Sequence, residues 1–205
     1  MSLIEEAKRI VERVTGLARP GPRDLPGLVR RRKPQTFRFA DDGAGTPNHP
    51  HFALVYYRGA VRNDDRFDPA ATFEVLFQRH GWRDSWRDGI YPFRHFHTGT
   101  HEVLGIARGH AVVEFGGAGG RRLALKAGDV VVLPAGTGHR RLGGSRDLLV
   151  VGAYPAGGRG YDEPRPGDPE AGDAAVSIDR VRPPAKDPVY GKDGPLVRLW
   201  KRRSR

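Results

Sequence analysis

A chain of 205 residues is long enough for one folded domain with extensions, and its lack of cysteine excludes disulfide bonds, thiolate metal sites and cysteine nucleophiles. A cytoplasmic location fits a cysteine-free chain, and no apolar stretch approaches the roughly 20 residues of a membrane span, so we expect no membrane partner. The formal net charge of +11 is concentrated at the ends, because residues 1–33 hold nine Lys/Arg against four Asp/Glu and residues 192–205 hold six against one. Basic tails of this kind give weak, salt-sensitive contacts with phosphates, so we expect no specific nucleic-acid partner.

The N-terminal segment has the pattern of an amphipathic helix. Ser2 and Glu5 form a capping box, and apolar residues recur at helical spacing from residue 3 to residue 14. Residues 18–34 are rich in proline, glycine and arginine, which predicts an irregular connector. The chain is therefore divided into a helix with a basic connector at 1–34, a domain at 35–200 and a basic tail at 201–205.

From residue 36 the pattern changes to short strands, with one more helix among them. The helix is expected to begin after Asp68, with Pro69 at its first position, and to end at Gly81. Strands are predicted at residues 36–40, 52–57, 90–97, 101–107, 110–117, 121–126, 129–134, 139–142 and 147–154. Many short strands without an internal repeat predict a single all-β sandwich or barrel, followed by a loop at 155–173.

Histidines at alternate positions form the candidate functional site. Side chains alternate along a strand, so His95 and His97 are expected on one face. A turn at residues 98–100 then brings the chain back beside them, and alternation allows either His101 or Glu102, but not both, to face the two histidines. His139 follows an apolar strand about 40 residues later and could supply a fourth ligand.

These residues stand at the positions of two motifs that mark the cupin superfamily. The first motif, G-x5-H-x-H-x4-E-x6-G, is matched by Gly89, His95, His97, Glu102 and Gly109. The second motif, G-x5-P-x-G-x2-H-x3-N, is matched by Gly128, Pro134, Gly136 and His139. Its final asparagine is replaced by Gly143, which is a turn position rather than a ligand. The spacing of the first motif favours Glu102 over His101 as the ligand.

Longer segments resemble the YjlB-type cupins. They are residues 39–57, 86–105, 128–139, 148–157, 161–170 and 187–196, within a resemblance that covers roughly 35–200. The resemblance implies an all-β fold, a single cupin barrel (a double-stranded β-helix or jelly roll), here with an N-terminal amphipathic helix and one further short helix. It also implies a divalent-metal site made by His95, His97, Glu102 and His139. It implies no particular reaction.

The ligand chemistry agrees with this site. Three imidazoles and one carboxylate suit Mn, Fe, Ni, Zn or Cu better than Ca or Mg. An octahedral ion with four protein ligands keeps about two positions for water, O2 or substrate. The alternative is that these polar side chains line a hydrated barrel that binds no metal.

The function that follows is a metal-dependent enzyme of the oxygenase or isomerase type, an oxidoreductase or isomerase acting on a small organic molecule. Glu102 could move a proton, and Tyr91 and Arg141 are candidate substrate-binding residues because they share the faces of His95 and His139. For Arg141 the alternative is a side chain that leaves the strand for solvent. A non-catalytic metal- or metabolite-binding barrel is the alternative function.

The other histidines show no ligand spacing, and His101 is expected at the surface or behind a ligand. The chain is also expected to form a homodimer, since strand edges and an amphipathic helix need covering. The contact is placed at the helix of residues 3–14 and the first strand near residues 37–40. The alternative is a monomer whose helix folds back onto its own barrel.

Overall fold

Two antiparallel β-sheets form the body of the protein in a computed structural model that describes residues 16–158, 161–169 and 174–201. In chain order the strands are β1 (Gln35–Phe37), β2 (Leu54–Tyr57), β3 (Trp82–Asp88), β4 (Glu102–Arg108), β5 (His110–Phe115), β6 (Arg121–Lys126), β7 (Val130–Leu133), β8 (His139–Gly144) and β9 (Leu149–Pro155). One sheet has the order β1-β2-β7-β4-β9-β3 and the other the order β6-β5-β8. The predicted single cupin barrel is confirmed.

Four helices accompany the strands within the described residues: α1 (Leu25–Leu28), α2 (Pro69–Arg79), α3 (Ala174–Arg180) and α4 (Pro195–Leu199). The predicted helix is α2, whose N-terminus is capped by the Asp68 carboxylate accepting from the Ala70 N–H at 3.0 Å. The expectation of only one short helix in the domain is wrong, because α3 and α4 were not predicted. Helices of five to seven residues are too short to show a clear period in the sequence. The helix predicted at residues 3–14 lies outside the described residues.

The predicted strand at residues 90–97 is not formed, and β3 is found just before it. β3 has a polar sequence, and an edge position beside β9 lets its side chains reach solvent. It also carries a bulge between Arg83 and Trp86. The 90–97 segment instead forms an isolated bridge from His95 to His139, and the Tyr91 and His97 carbonyls accept from the N–H groups of residues 141 and 136. That bridge, rather than a regular strand, positions the first metal-ligand candidates.

The six-stranded sheet is buried on both of its faces, and this explains the unbroken apolar sequences of β2 and β7. Val131 of β7 packs in the core between the two sheets, whereas Val132 packs in the core on the opposite side. The second core is closed by α2, which lies close to β4 because Gly105 has no side chain. A Cβ at Gly105 would come within 2.3 Å of the Phe73 ring. Fully burying a side chain such as Phe73 contributes about 1.5–3 kcal/mol.

The basic connector lies against the barrel where the structure describes it. Backbone bonds join Arg30 N to Ala60 O at 2.8 Å and Arg62 N to Leu28 O at 2.7 Å. Basic side chains from the connector and from neighbouring loops and strands line a shared groove: Arg30, Arg32, Lys33, Arg58, Arg62 and Lys126. This part of the N-terminal charge is therefore displayed on the folded domain. None of the described helices is long and apolar enough to cross a membrane.

Candidate metal centre

Three buried histidines and one buried glutamate meet between the two sheets. His139 is the first residue of β8, and its backbone pairs with that of His95 through N–H···O bonds of 2.9 and 3.2 Å. Glu102 is the first residue of β4 and enters from the opposite sheet. All four side chains are at most 5% exposed. The two sheets and the bridge thus bring together residues that are far apart in the chain.

The distances between the polar atoms are those of an ion-binding cluster. One ring nitrogen from each of His95, His97 and His139 lies within 4.8 Å of the other two. The Glu102 Oε2 atom is 3.4 Å from His97 Nε2 and 3.5 Å from His139 Nε2. Within the described residues, His97 Nε2 and Glu102 Oε2 are buried and have no hydrogen-bond partner outside this cluster. An ion bound between them would satisfy both atoms.

The backbone orients all three imidazole rings in the same sense. Each Nδ1 atom faces a carbonyl oxygen, at 3.2 Å for His95, 2.5 Å for His97 and 3.1 Å for His139. The carbonyl groups belong to Phe93, Asp162 and Thr137. A carbonyl oxygen only accepts hydrogen bonds, so each Nδ1 must donate a proton. The neutral rings therefore have their lone pair at Nε2, which is the form that binds a metal ion.

The charges in this cluster are coupled. Burial lowers the pKa of His95 and lowers that of His139 to about 3. Burial acts in the same direction on His97, but the Glu102 carboxylate and the Asp162 carbonyl outweigh it and raise the pKa of His97 to about 9. For Glu102, burial favours the neutral acid, but the neighbouring histidines hold its pKa below the ordinary value. Without a metal ion, Glu102 and His97 are thus paired charges, and an ion would replace the proton on His97.

A cavity of about 810 Å³ opens onto this cluster. Its wall contains Trp86, whose indole lies directly over Gly152, where a Cβ would come within 2.1 Å of the ring. The Trp86 Nε1–H donates to the Tyr154 hydroxyl at 2.9 Å. Burial and the neighbouring Glu102 carboxylate raise the pKa of Tyr154, which therefore keeps its proton. The cavity has the size and the mixed aromatic and polar lining expected for a small organic ligand.

The other predicted site residues lie in different environments. Glu102 rather than His101 faces the histidines, in agreement with the motif spacing. Tyr91 lines the cavity and is 43% exposed at its mouth. Arg141 is not among the described residues that line the cavity, and its Nε donates to the Ile90 carbonyl at 3.1 Å. Of the two candidate substrate-binding residues, Tyr91 thus lines the cavity, whereas Arg141 is turned toward the backbone.

His101 is not at the surface, and its ring packs away from the candidate ligands, so the prediction for it was wrong. It is fully buried on the other side of β4, where its ring lies 4.7 Å from that of Trp200. Alternation along the strand explains this, since adjacent residues point to opposite faces and both faces of the sheet are buried.

The sequence interpretation missed three residues of the centre. Tyr154 is at the end of β9, and Tyr161 and Asp162 are in a stretch predicted only as loop. The Tyr161 ring lies 5.2 Å from the His97 ring, and both tyrosines line the cavity. No spacing rule connects them to the histidines; the resemblance of residues 161–170 to the YjlB-type cupins was the one signal that marked this segment.

Comparison with known proteins gives one strong relative. No family model matches the chain. Over 169 residues, which are 82% of this chain and 98% of the relative, it is 43% identical to the uncharacterized protein YjlB of Bacillus subtilis.

Similarity to solved structures is weaker. An acireductone dioxygenase from Bacillus anthracis with a cadmium ion in its active centre is 17% identical over 44% of this chain and 61% of its own, less than two thirds, with a TM-score of 0.32. A predicted oxalate decarboxylase from Thermotoga maritima is 17% identical over 62% of this chain and 96% of its own, with a TM-score of 0.30. Similarities of this size do not identify an activity. With its two cupin motifs, its barrel and its YjlB relative, the chain belongs to the YjlB family of cupin proteins.

Proposed function

We propose that this protein binds one divalent metal ion through His95, His97, Glu102 and His139, and that it uses the ion to transform a small organic molecule. The observation that supports this best is the shared orientation of the three rings, whose Nδ1 atoms all face carbonyl oxygens. Three imidazole Nε2 atoms and one carboxylate then surround one point. Such a set of ligands suits Mn, Fe, Ni, Zn or Cu.

The cavity beside the cluster favours an enzymatic function, that of an oxidoreductase or isomerase of the oxygenase or isomerase type. A divalent ion bound here would supply Lewis-acid or redox chemistry. Glu102, which the histidines hold as a carboxylate, lines the cavity and would accept a proton from a substrate bound there. Tyr154 keeps its proton and borders the same carboxylate, so it can donate a hydrogen bond there. Tyr91 would contact the substrate at the mouth.

Metal analysis of the purified protein tests the binding step. We expect about one divalent ion per chain in the wild type and none in a variant with His95, His97 and His139 all replaced by alanine, because three of four ligands are lost. Equal metal content in the two proteins would contradict the proposal. The metal-loaded protein is then screened with small oxygenase and isomerase substrates; metal binding without any turnover would favour the non-catalytic alternative.

The assembly that we propose is a homodimer. β1 forms one edge of the six-stranded sheet, and Gln35 and Thr36 in it are exposed, so a second chain could pair there. Light scattering after size exclusion should give the mass of two chains across a dilution series, and the mass of one chain would reject the dimer. A cytoplasmic location is proposed on the absence of cysteine alone.

A further inference from the structure

We propose that Asp162 is a positioning residue for the metal centre: its carbonyl oxygen fixes the His97 ring, and its carboxylate fixes the turn that follows His97. The inference rests on the proposed metal-binding function. It assigns a role to a residue that is 65 positions away from His97 in the sequence.

The backbone carbonyl and the side-chain carboxylate of Asp162 accept hydrogen bonds from adjacent residues of the segment 97–99. The carbonyl oxygen accepts from His97 Nδ1 at 2.5 Å. The carboxylate accepts from the backbone N–H of Thr98, at 2.9 and 3.1 Å to its two oxygens, and from that of Gly99 at 3.4 Å. The Thr98 hydroxyl also donates to it. Loss of the carboxylate would therefore release the residue whose carbonyl orients the ring.

His97 is oriented by this distant residue and not by the nearer carbonyl, which already accepts another hydrogen bond. His95 and His139 each donate from Nδ1 to the carbonyl two positions earlier in the chain. The corresponding carbonyl for His97 is that of His95, which accepts from the His139 N–H at 2.9 Å. The backbone bridge that joins two ligands thus leaves the third ligand to be oriented from another part of the chain.

Neighbouring contacts keep Asp162 in register with the centre. The Pro164 carbonyl accepts from the Phe96 N–H at 3.2 Å, and the Tyr161 ring packs on the His97 ring at 5.2 Å. Residues 161–164 therefore run beside residues 96–99, and Asp162 contributes the polar contacts to the ligand itself. Partners of this kind affect metal affinity by about 10–100-fold, although they never touch the ion.

The test is a titration of Zn²⁺ against a coloured chelator for the full-length wild type, Asp162→Ala, Asp162→Asn and Asp168→Ala. Asp168 is a matched control, since its carboxylate accepts from the Arg165 N–H within the same segment. We expect Zn²⁺ affinity to fall about 10–100-fold in Asp162→Ala and to change by less than about twofold in Asp168→Ala. Asp162→Asn keeps one oxygen for the Thr98 and Gly99 amides and should recover part of the affinity.

A second measurement separates positioning from a general loss of structure. In zinc-loaded protein with ¹⁵N-labelled histidine, the His97 Nδ1–H should give a slowly exchanging signal in the wild type and a rapidly exchanging or absent one in Asp162→Ala. If Asp162→Ala does not fold, Asp162→Asn and Thr98→Val decide the matter, since each removes only part of the carboxylate's contacts.

The outcomes distinguish this inference from the proposed function. Wild-type affinity in Asp162→Ala would overturn the role of Asp162 and leave the metal site standing. Weakened binding with an unchanged Nδ1–H signal would overturn positioning as the cause. A wild-type protein that takes up no Zn²⁺, and contains no other divalent ion, would reject the metal function and this inference together.

Discussion

Two groups of buried histidines lie on opposite sides of β4, and their Nδ1 atoms make hydrogen bonds of opposite direction with the backbone. Between the sheets, His95, His97 and His139 donate from Nδ1 to carbonyl oxygens. On the other side, His49 Nδ1 accepts from the backbone N–H groups of residues 51 and 52 at 3.1 Å, and His101 Nδ1 accepts from the Ala135 N–H at 2.9 Å. In their neutral form the rings of the first group have their lone pairs at Nε2, whereas the rings of the second group carry their protons there.

The comparison shows that burial alone does not make a histidine a ligand. His101 is as deeply buried as His139, and burial lowers the pKa of both to about 3. The difference is the backbone group that each Nδ1 meets, and the neighbours beyond it. His101 packs among aromatic rings such as that of Trp200, and the charges that act on it do not include a carboxylate of the described residues. His101 is therefore a core residue, and three experiments can test the distinction between it and the candidate ligands.

Replacing one histidine of each group by alanine should separate the effect on metal binding from the effect on stability. His97→Ala should lose the bound metal almost completely. His101→Ala should keep it but lower the free energy of unfolding by about 2–4 kcal/mol, because it leaves a cavity and a buried Ala135 N–H without its acceptor. Metal analysis and urea unfolding measure the two effects. The control is His101→Asn, which keeps an acceptor near the position of Nδ1 and should be less destabilised than His101→Ala. If His101→Ala folds but loses the metal, the distinction between a core histidine and the candidate ligands is wrong.

Removing the metal should destabilise only a protein whose first histidine group is intact. An ion at 1,000 times its dissociation constant stabilises the folded state by about 4 kcal/mol. For a chain of this length that corresponds to about 8–16 °C in melting temperature. We expect EDTA to lower the melting temperature of the wild type and of His101→Asn, and to leave the triple alanine variant unchanged. Identical melting curves for the wild type with and without EDTA would count against a tightly bound ion.

Lowering the pH should destabilise the folded protein through His101, which belongs to the second group of histidines. The folded-state pKa of His101 is about 3, below its ordinary value of 6.5, so below pH 6.5 the unfolded chain takes up a proton that the folded chain refuses. Stability is therefore fully present above pH 6.5 and is lost as pH falls toward 3. Between pH 7 and pH 4 the wild type should lose on the order of 1–3 kcal/mol more than His101→Asn. Urea unfolding in EDTA measures this, and parallel losses in the two proteins would contradict it.

The sequence predicted which side chains come together between the sheets, because that information is local. The spacing of the two motifs indicated His95, His97, Glu102 and His139, whose side chains do meet, although 90–97 is not a regular strand. The bridge at His95, together with backbone bonds at Tyr91 and His97, brings the side chains of His95 and His97 to the same site as a strand would. The α2 helix was likewise predicted from its cap and its apolar face, which are short-range signals.

What the sequence could not provide depends on contacts between distant segments. β3 has too many polar residues to resemble a buried strand, and only its edge position makes that sequence suitable. His101 and Glu102 are neighbours with opposite roles, and alternation alone did not assign them. Asp162 has an ordinary loop sequence around it, and its contact with His97 joins positions that are 65 residues apart in the chain.

The bridge between His95 and His139 also has a consequence for biosynthesis. A chain made from its N-terminus exposes His95, His97 and Glu102 well before His139, and Asp162 emerges later still. The ring orientations and the four-ligand set therefore do not exist while the first part of the barrel is being made. The proposed ion would then enter a nearly finished fold, after synthesis has passed Asp162. Which divalent metal it is would be decided by the ions available in the cell at that moment as well as by the ligands.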